Sequence, residues 1–286
     1  MEGIVTILEK FVFDGIEERA RFDIESVIER GLKLQYTPEG IKDCIRCMDY
    51  TTLTSRDTEE SVEQFVYALN SKCSRIEERP AAICVFPNYA SIVSKGLQGT
   101  GIKCAVVAAG FPASQTFFEV KRMECRMAIL SGADEVDIVI PVGKMIEGRY
   151  EEVFQELCEL RNECNGVKLK VILETGELND LKLIFTASLI AMHAGADFIK
   201  TSTGKVAVNA TPEAVYVMAS AARHYYELYG KKVGIKVAGG VSTTVSALKY
   251  RSIVSYILGE EWITPDLFRI GTSKLLDDAI KSLNAL

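Results

Sequence analysis

The chain has 286 residues, of which 48% are hydrophobic and 25% charged, as expected of a globular protein with a substantial core. A formal net charge of -6 and a pI near 5.3 argue against a surface that binds nucleic acid or anionic membranes. No stretch approaches the ~18 uninterrupted apolar residues of a membrane span, and Glu2 and Glu9 do not fit a signal peptide. We therefore expect a cytoplasmic protein without a membrane or nucleic-acid partner.

Residues 1–40 show apolar residues at helical spacing, namely Ile24, Val27, Ile28 and Leu32. This pattern predicts an N-terminal helical extension that flanks the rest of the fold. Later helix starts are also marked: Thr211 before Pro212 predicts an N-cap, and Asp57 with Glu60 predicts a capping box.

Eight short apolar runs, mostly rich in β-branched residues, alternate with helical segments. They begin at Cys47, Ala81, Lys103, Glu135, Lys168, Phe198, Gly234 and Phe268. The runs recur about every 30 residues, as expected of the eight strand–helix units of a closed barrel of about 250 residues. A doubly wound open sheet is the alternative, but the first run ends in Thr51-Thr52-Leu53 and not in a GxGxxG loop. The sequence therefore predicts an α/β protein with a (β/α)8 TIM barrel over residues 41–286.

The cysteines and histidines give little indication of redox or metal chemistry. The eight cysteines are scattered, and we expect reduced thiols. Cys44 and Cys47 form a CxxC, but no second pair stands at zinc-ribbon spacing, which disfavours a functional role. His193 and His224 lack a histidine partner at ligand spacing, so neither a metal nor another cofactor is expected.

Several strands carry a charged residue at their centre, where an unpaired charge is costly to bury. In the fifth run the apolar residues must face the helices, so Lys170, which alternates with them, points into the barrel. The same alternation turns Asp137, Lys200 and Lys236 inward. The sequence therefore predicts three lysines and one aspartate that converge on one interior.

A salt-bridged layer that fixes strand register is the structural alternative for these residues. Three cations against one or two acids, Asp137 and also Glu174, balance poorly for such a layer. Crowded ammonium groups in a desolvated cavity lower one another's pKa, and a neutral amine is the nucleophile that a carbonyl substrate needs. The composition favours Schiff-base catalysis.

Glycine-rich loops follow the last strands. In barrels an anion often binds backbone amides of the loops after the seventh and eighth strands. Here these loops read Ala238-Gly239-Gly240 and Gly271-Thr272-Ser273, and Thr203-Gly204-Lys205 after the sixth strand could add donors. Simple turns are the alternative use of the glycines.

Several segments resemble the deoxyribose-phosphate aldolase family, in the family's order. They are GADEVDIVIP from Gly132, LKVILETGEL from Leu169, GADFIKTSTGKVAVNATPE from Gly195 and GIKVAGGV from Gly234. The resemblance covers roughly residues 49–276. It implies reversible cleavage of 2-deoxy-D-ribose 5-phosphate to D-glyceraldehyde 3-phosphate and acetaldehyde through a lysine Schiff base, in deoxyribonucleotide catabolism.

The resemblance also implies roles for individual residues. Lys200 would form the Schiff base, Lys236 would lower its pKa, and Asp137 with an ordered water, helped by Lys170, would transfer protons. The phosphate would lie on Gly204, Lys205, Gly239, Gly240 and Ser273, with Thr203 as a further donor. The sugar end would be lined by Asp49, Thr51 and Leu53.

Two features depart from the family pattern. Lys274 stands where many members have a second serine, and the sequence ends at Leu286 without the tyrosine-ended tail that assists proton transfer in some members. We therefore expect slower turnover.

Other lysine-dependent or metal-dependent aldolases are the enzymatic alternatives. A weakened family member that acts as a binding or scaffolding protein is the non-enzymatic alternative. The sequence does not fix the oligomeric state, and a homodimer is compatible with it.

Overall fold

Eight parallel strands close into a barrel within residues 3–286, the part of the chain that the computed structural model describes. Each strand pairs with its successor in sequence, and the eighth pairs with the first. The strands are β1 (Met48–Thr51), β2 (Ala82–Val85), β3 (Lys103–Ala108), β4 (Glu135–Val139), β5 (Lys168–Ile172), β6 (Phe198–Lys200), β7 (Gly234–Ala238) and β8 (Phe268–Thr272). The predicted (β/α)8 barrel is confirmed.

Helices surround this ring and also precede it. They are α1 (Ile4–Leu8), α2 (Ile16–Phe22), α3 (Ile24–Gln35), α4 (Pro38–Arg46), α5 (Glu59–Ile76), α6 (Ala90–Gly96), α7 (Phe118–Leu130), α8 (Val142–Ile146), α9 (Tyr150–Glu163), α10 (Thr175–Leu178), α11 (Leu181–His193), α12 (Pro212–Tyr229), α13 (Thr244–Leu258) and α14 (Leu275–Asn284). Short 3-10 helices lie at Pro87–Tyr89 and Glu260–Trp262. None of the helices within residues 3–286 combines the length and apolarity needed to cross a bilayer.

Side chains along each strand alternate between the helix layer and the barrel interior. The helix-facing set is apolar and joins the main core, as Val136, Ile138, Val171, Ile199 and Ile235 do. Inside the barrel, β2 and β3 contribute a small apolar cluster of Ala82, Cys84, Ala105 and Val107. The interior positions of β4 to β8 carry most of the buried charge. The interior is therefore divided into an apolar and a charged side.

The helices α1 to α3 precede the barrel in sequence, and they share its core. Their buried apolar residues include Ile16, Ala20, Ile24 and Val27. Helix α3 lies so close to α13 that a Cβ added at Gly31 would be 2.2 Å from the Ser252 hydroxyl oxygen. The predicted boundary between residues 40 and 41 falls inside α4, which packs on α13 and α14.

Helix caps explain where two of the barrel helices begin. The Thr211 hydroxyl accepts a hydrogen bond from the Ala214 amide, as predicted. The predicted Asp57–Glu60 capping box is wrong, because Thr58 and Ser61 form the reciprocal pair at the start of α5. Asp57 lies one residue before the cap, where its carboxylate binds the β1 loop.

The cysteines of residues 3–286 are free thiols, and the CxxC motif is inaccessible. Cys44 and Cys47 are both buried at the end of α4. Burial raises the pKa of both thiols, to about 12 for Cys47. Because the thiolate is the reactive form, this environment opposes redox chemistry.

Candidate active site

A cavity of about 620 Å³ opens at the carboxyl ends of the strands, where barrel enzymes carry their active sites. The loops after β1, β6, β7 and β8 form its wall. Most of the residues predicted for the site line it, namely Thr51, Leu53, Lys200, Thr203, Gly204, Lys205, Lys236, Gly239, Gly240 and Ser273. Asp137 and Lys170 lie deeper, beneath the two lysines of the cavity.

Strand register sets the two cavity lysines side by side, because Lys200 of β6 is the direct neighbour of Lys236 of β7. Both amines donate to the same atom, Oδ2 of Asp137, and each distance is 2.7 Å. Lys170 donates to the other oxygen, Oδ1, at 2.8 Å. The predicted inward convergence of these four side chains is therefore present, with Asp137 at its centre.

Three further charged residues complete the cluster below Asp137. The Lys236 amine also contacts Asp49 at 2.5 Å, and Lys170 contacts Glu135 at 2.7 Å. Arg269 of β8 bridges the two acids, at 2.6 Å from Asp49 and 2.7 Å from Glu135. All three are buried. Asp49 was predicted at the sugar end, but it lies beneath Lys236 and does not line the cavity. It stands two residues before Thr51 in β1, and therefore deeper in the barrel.

The predicted charge balance of three lysines against one or two acids is therefore wrong. Within residues 3–286 the interior cluster holds four cations, Lys170, Lys200, Lys236 and Arg269, against the three carboxylates Asp49, Glu135 and Asp137. Glu174 does not belong to this cluster. One of its carboxylate oxygens accepts from the Thr203 amide at 3.1 Å, and the other accepts from the Thr203 hydroxyl at 2.6 Å. One cation remains in excess, so neutralising a single amine balances the cluster.

Lys200 is the lysine of the cluster whose pKa is lowered. Burial lowers the pKa of Lys200, and the neighbouring Lys236 lowers it further, although Asp137 opposes both. The prediction named Lys236 as the cause, but desolvation is the larger one. In contrast, burial also acts on Lys236, yet the carboxylates of Asp137 and Asp49 outweigh it and raise its pKa.

The carboxylates of the cluster stay ionised. Burial alone would raise the pKa of Asp137, but the three lysines outweigh it and hold that pKa well below its usual range. The same competition lowers the pKa of Asp49 and of Glu135. A fixed anionic centre therefore holds the Lys200 nitrogen at the cavity floor, where it can reach a carbonyl carbon.

Backbone groups dominate the opposite end of the cavity. Gly239 and Gly240 follow β7 with φ values of 88° and 81°, a region that favours glycine. The Thr272 hydroxyl accepts from the amides of Lys274 and Leu275, each at 3.2 Å, and so shapes the turn into α14. Glycine turns beside a helix start suit an anion, because its amides approach closely.

Lys205 stands at the rim of this end. Its amine donates to the Leu53 carbonyl oxygen of the β1 loop, and its amide donates to the Thr203 hydroxyl at 3.1 Å. The Lys205 amine is exposed, and the carbonyl group to which it donates is uncharged. The amine can therefore exchange this hydrogen bond for one to an anion at little cost in free energy.

The apolar side of the barrel interior is covered by three partly buried residues. Leu53, Phe86 and Phe111 pack over the interior cluster that contains Cys84. Burial raises the pKa of the Cys84 thiol, which disfavours the reactive thiolate form. The site thus combines a buried lysine amine with a glycine-rich end.

Comparison with known proteins agrees with this arrangement. Residues 44–254 match the DeoC/LacD family aldolase. The chain is 41% identical over 263 residues to the deoxyribose-phosphate aldolase of Mus musculus and 39% identical to that of Homo sapiens, in each case across 87% of this chain and 82% of the relative. A solved deoxyribose phosphate aldolase from Aeropyrum pernix, described as tetrameric, superposes with a TM-score of 0.68 at 28% identity, over 91% of this chain and 96% of the other.

The family match covers well over half of the chain, and the relatives are alike over most of their length. The solved aldolase from Aeropyrum pernix shares the barrel fold of this chain. The chain belongs to the DeoC/LacD family of aldolases.

Proposed function

We propose that the chain is a class I aldolase that cleaves 2-deoxy-D-ribose 5-phosphate to D-glyceraldehyde 3-phosphate and acetaldehyde through a Schiff base on Lys200. One observation carries the proposal: Lys200 is a desolvated amine of lowered pKa at the floor of the cavity, beside Lys236 and Asp137. An amine is nucleophilic only when neutral, so this environment favours attack on a carbonyl at neutral pH.

The reaction would begin when the Lys200 nitrogen attacks the aldehyde carbon C1 of the open-chain sugar. The proton released by nitrogen goes to the carbinolamine oxygen through Lys236, Asp137 and an ordered water, with Lys170 in the same network. A second proton from this network lets that oxygen leave as water, and an iminium ion remains. Because Asp137 is ionised, it can accept a proton in this relay, and it also orients the two amines that donate to it.

Carbon–carbon cleavage would follow. The C3 hydroxyl gives its proton to the ordered water and Asp137, and the C2–C3 bond breaks. The electron pair of that bond moves into the iminium ion, which gives an enamine and glyceraldehyde 3-phosphate. Protonation of the enamine at C2 and addition of water then release acetaldehyde and restore the amine. The reverse sequence is the aldol addition.

The far end of the cavity supports a phosphorylated substrate. Lys205, Gly204, Gly239, Gly240 and Ser273 face it from three loops, and Thr203 lies beside them. Thr51 and Leu53 would contact the sugar. The relatives named above are deoxyribose-phosphate aldolases, which supports the same substrate here. The activity would serve the cytoplasmic breakdown of deoxyribonucleotides.

The experiment that tests this function is an assay of the purified chain with 2-deoxyribose 5-phosphate, in which both products are measured. We expect cleavage that EDTA does not change and that Lys200→Met reduces to the background rate. Lys232→Met is the matched control, since Lys232 lies over the Trp262 ring outside the cavity, and it should retain full activity.

Two results would refute the proposal. One is cleavage by the Lys200→Met variant at the normal rate. The other is a folded wild-type chain that binds the sugar phosphate without cleaving it, which would support the binding or scaffolding alternative.

A further inference from the structure

The loop that follows β6 is held in place by three consecutive residues that follow β5. They are residues 174–176, which we call the β5 clamp, and they lie outside the lining of the cavity. Residues 203–205 of the β6 loop, which we call the cavity turn, do line the cavity. The β5 clamp therefore reaches the candidate phosphate-binding segment from behind the cavity wall.

Glu174 makes the first contact of the β5 clamp through its buried carboxylate. The Thr203 amide donates to one oxygen at 3.1 Å, and the Thr203 hydroxyl donates to the other at 2.6 Å. The same hydroxyl oxygen accepts from the Lys205 amide at 3.1 Å. One carboxylate thus fixes both ends of the cavity turn, with Gly204 between them.

The backbone of Glu174 is held in an uncommon conformation. Its φ of 54° and ψ of 58° lie in the left-handed region, which residues with a side chain seldom adopt. Such a conformation persists where the surrounding contacts fix it, and it occurs often at ligand sites. A carboxylate so close to an anion-binding turn repels the anion. The benefit of Glu174 must therefore come from the order that it imposes on the turn.

The other two residues of the β5 clamp contact the backbone of the β6 loop. The Thr175 amide donates to the Thr201 carbonyl oxygen at 3.0 Å. Gly176 approaches the loop so closely that an added Cβ would be 1.9 Å from the Val208 carbonyl oxygen. Glycine is required at this position by the close approach of two backbones. The clamp thus holds the loop before, within and after the cavity turn.

We propose that Glu174 is a positioning residue for the phosphate group of the substrate and acts through the cavity turn without touching the substrate. This inference rests on the proposed function and deepens it. The carboxylate keeps the turn in one arrangement, in which the Gly204 amide and the Lys205 side chain face the anion before it binds. A turn that is ordered in advance loses less entropy on binding, which favours the phosphorylated sugar. The Lys200 amine is held by Asp137, so the chemical step does not depend on the turn.

Steady-state kinetics of Glu174→Ala and Glu174→Gln test the inference. Alanine removes both hydrogen bonds, so the KM for 2-deoxyribose 5-phosphate should rise about tenfold or more, because contacts with an ionised group are lost. The kcat value should change little, and so should kcat/KM for unphosphorylated deoxyribose. Glutamine keeps one acceptor oxygen for the Thr203 amide, so its KM should lie between those of alanine and the wild type. Glu177→Gln, which changes an exposed carboxylate of α10, is the matched control and should behave as the wild type.

Gly176→Ala tests the β5 clamp without a change of charge. The added Cβ must displace the backbone at Val208, so the KM for the phosphorylated sugar should rise here as well, again with little change in kcat. Gly143→Ala is its control, because the Cβ there would meet only the Gln115 side chain at 4.0 Å. If Glu174→Ala does not fold, Glu174→Gln and Gly176→Ala decide the question by the same criteria.

Binding of inorganic phosphate separates this inference from the proposed function. In a Lys200→Met background no Schiff base forms on that residue, yet titration calorimetry should show that Glu174→Ala weakens phosphate binding about tenfold or more. A wild-type chain that binds phosphate without cleaving the sugar would refute the proposed function alone. Unchanged phosphate binding and KM in folded Glu174→Ala would overturn the inference alone. Equal losses of kcat/KM for the two sugars would also overturn it, because they would indicate a general disturbance of the barrel.

Discussion

Lys200 and Lys236 donate to one and the same carboxylate oxygen, Oδ2 of Asp137, each over 2.7 Å. Two ammonium groups on one oxygen repel each other, and the repulsion is relieved when one of them loses its proton. Lys236 also contacts Asp49, whereas Lys200 has the Asp137 contact. The proton is therefore held more firmly by Lys236 than by Lys200, since the pKa of Lys236 is raised and that of Lys200 is lowered.

Replacement of Lys236 should move the pH dependence of the reaction. In Lys236→Met the cation that lowers the pKa of Lys200 is gone, and Asp137 acts on Lys200 with fewer competitors, so that pKa rises. Activity increases with pH as Lys200 loses its proton, so the rising limb of the rate profile should shift to higher pH and the rate at neutral pH should fall. A pH–kcat/KM series measures this shift. The control is Lys168→Met, because Lys168 is half-exposed and lies at the opposite end of the barrel. A Lys236→Met variant whose rate rises over the same pH range as the wild type would contradict the account.

Replacement of Arg269 should cost stability as well as activity. Arg269→Met leaves Asp49 and Glu135 with one cation fewer, and the loss of one partner from a buried ion pair costs about 3–5 kcal/mol. It also leaves equal numbers of cations and carboxylates, which favours protonated Lys200. Denaturant unfolding at pH 7 measures the loss of stability. The pH dependence of kcat/KM measures the effect on the protonation of Lys200.

The matched control for Arg269 is Arg223→Met, which removes an exposed ion pair with Glu227 and should change the unfolding free energy by less than about 1 kcal/mol. Equal stability losses in the two variants would show that the interior cluster has no special role.

Replacement of Lys205 should affect the phosphorylated substrate selectively. Lys205→Met removes one charge-assisted contact worth about 1.5–3 kcal/mol, so kcat/KM for deoxyribose 5-phosphate should fall about tenfold to a hundredfold. Cleavage of unphosphorylated deoxyribose should stay the same, because the amine would not contact it. Steady-state kinetics with both sugars decide this point. Equal losses for both substrates would mean that Lys205 does not bind the phosphate.

A glycine in β7 should be essential for packing inside the barrel. A Cβ at Gly234 would lie 2.3 Å from the Phe198 ring, so Gly234→Ala should destabilise the fold by about 1–3 kcal/mol. Thermal melting compares it with Gly143→Ala, whose Cβ meets only the Gln115 side chain at 4.0 Å. We expect no loss in that control. A Gly234→Ala protein with an unchanged melting temperature would be inconsistent with the described packing.

Alternation along single strands was sufficient to orient Asp137, Lys170, Lys200 and Lys236, because apolar neighbours on both sides leave only one face for a charge. The same signal exists at Arg269, which stands between Phe268 and Ile270. The alternation therefore turns Arg269 into the barrel as well.

Ion pairs between strands on different sides of the barrel could not be predicted from the alternation within single strands. Arg269 meets Asp49 and Glu135, which are far from it in sequence, so the charge balance became visible only when the ring was closed. Glu174 illustrates the opposite error: its parity suggested the lysine layer, but its left-handed backbone, with φ of 54°, turns the carboxylate to Thr203.

The most direct test of the central claim is chemical trapping. The chain would be incubated with acetaldehyde or deoxyribose 5-phosphate, reduced with borohydride, and mapped by peptide mass analysis. The account predicts a stable adduct on Lys200, which is absent from Lys200→Met. No adduct, or an adduct confined to the rim residue Lys205, would contradict it.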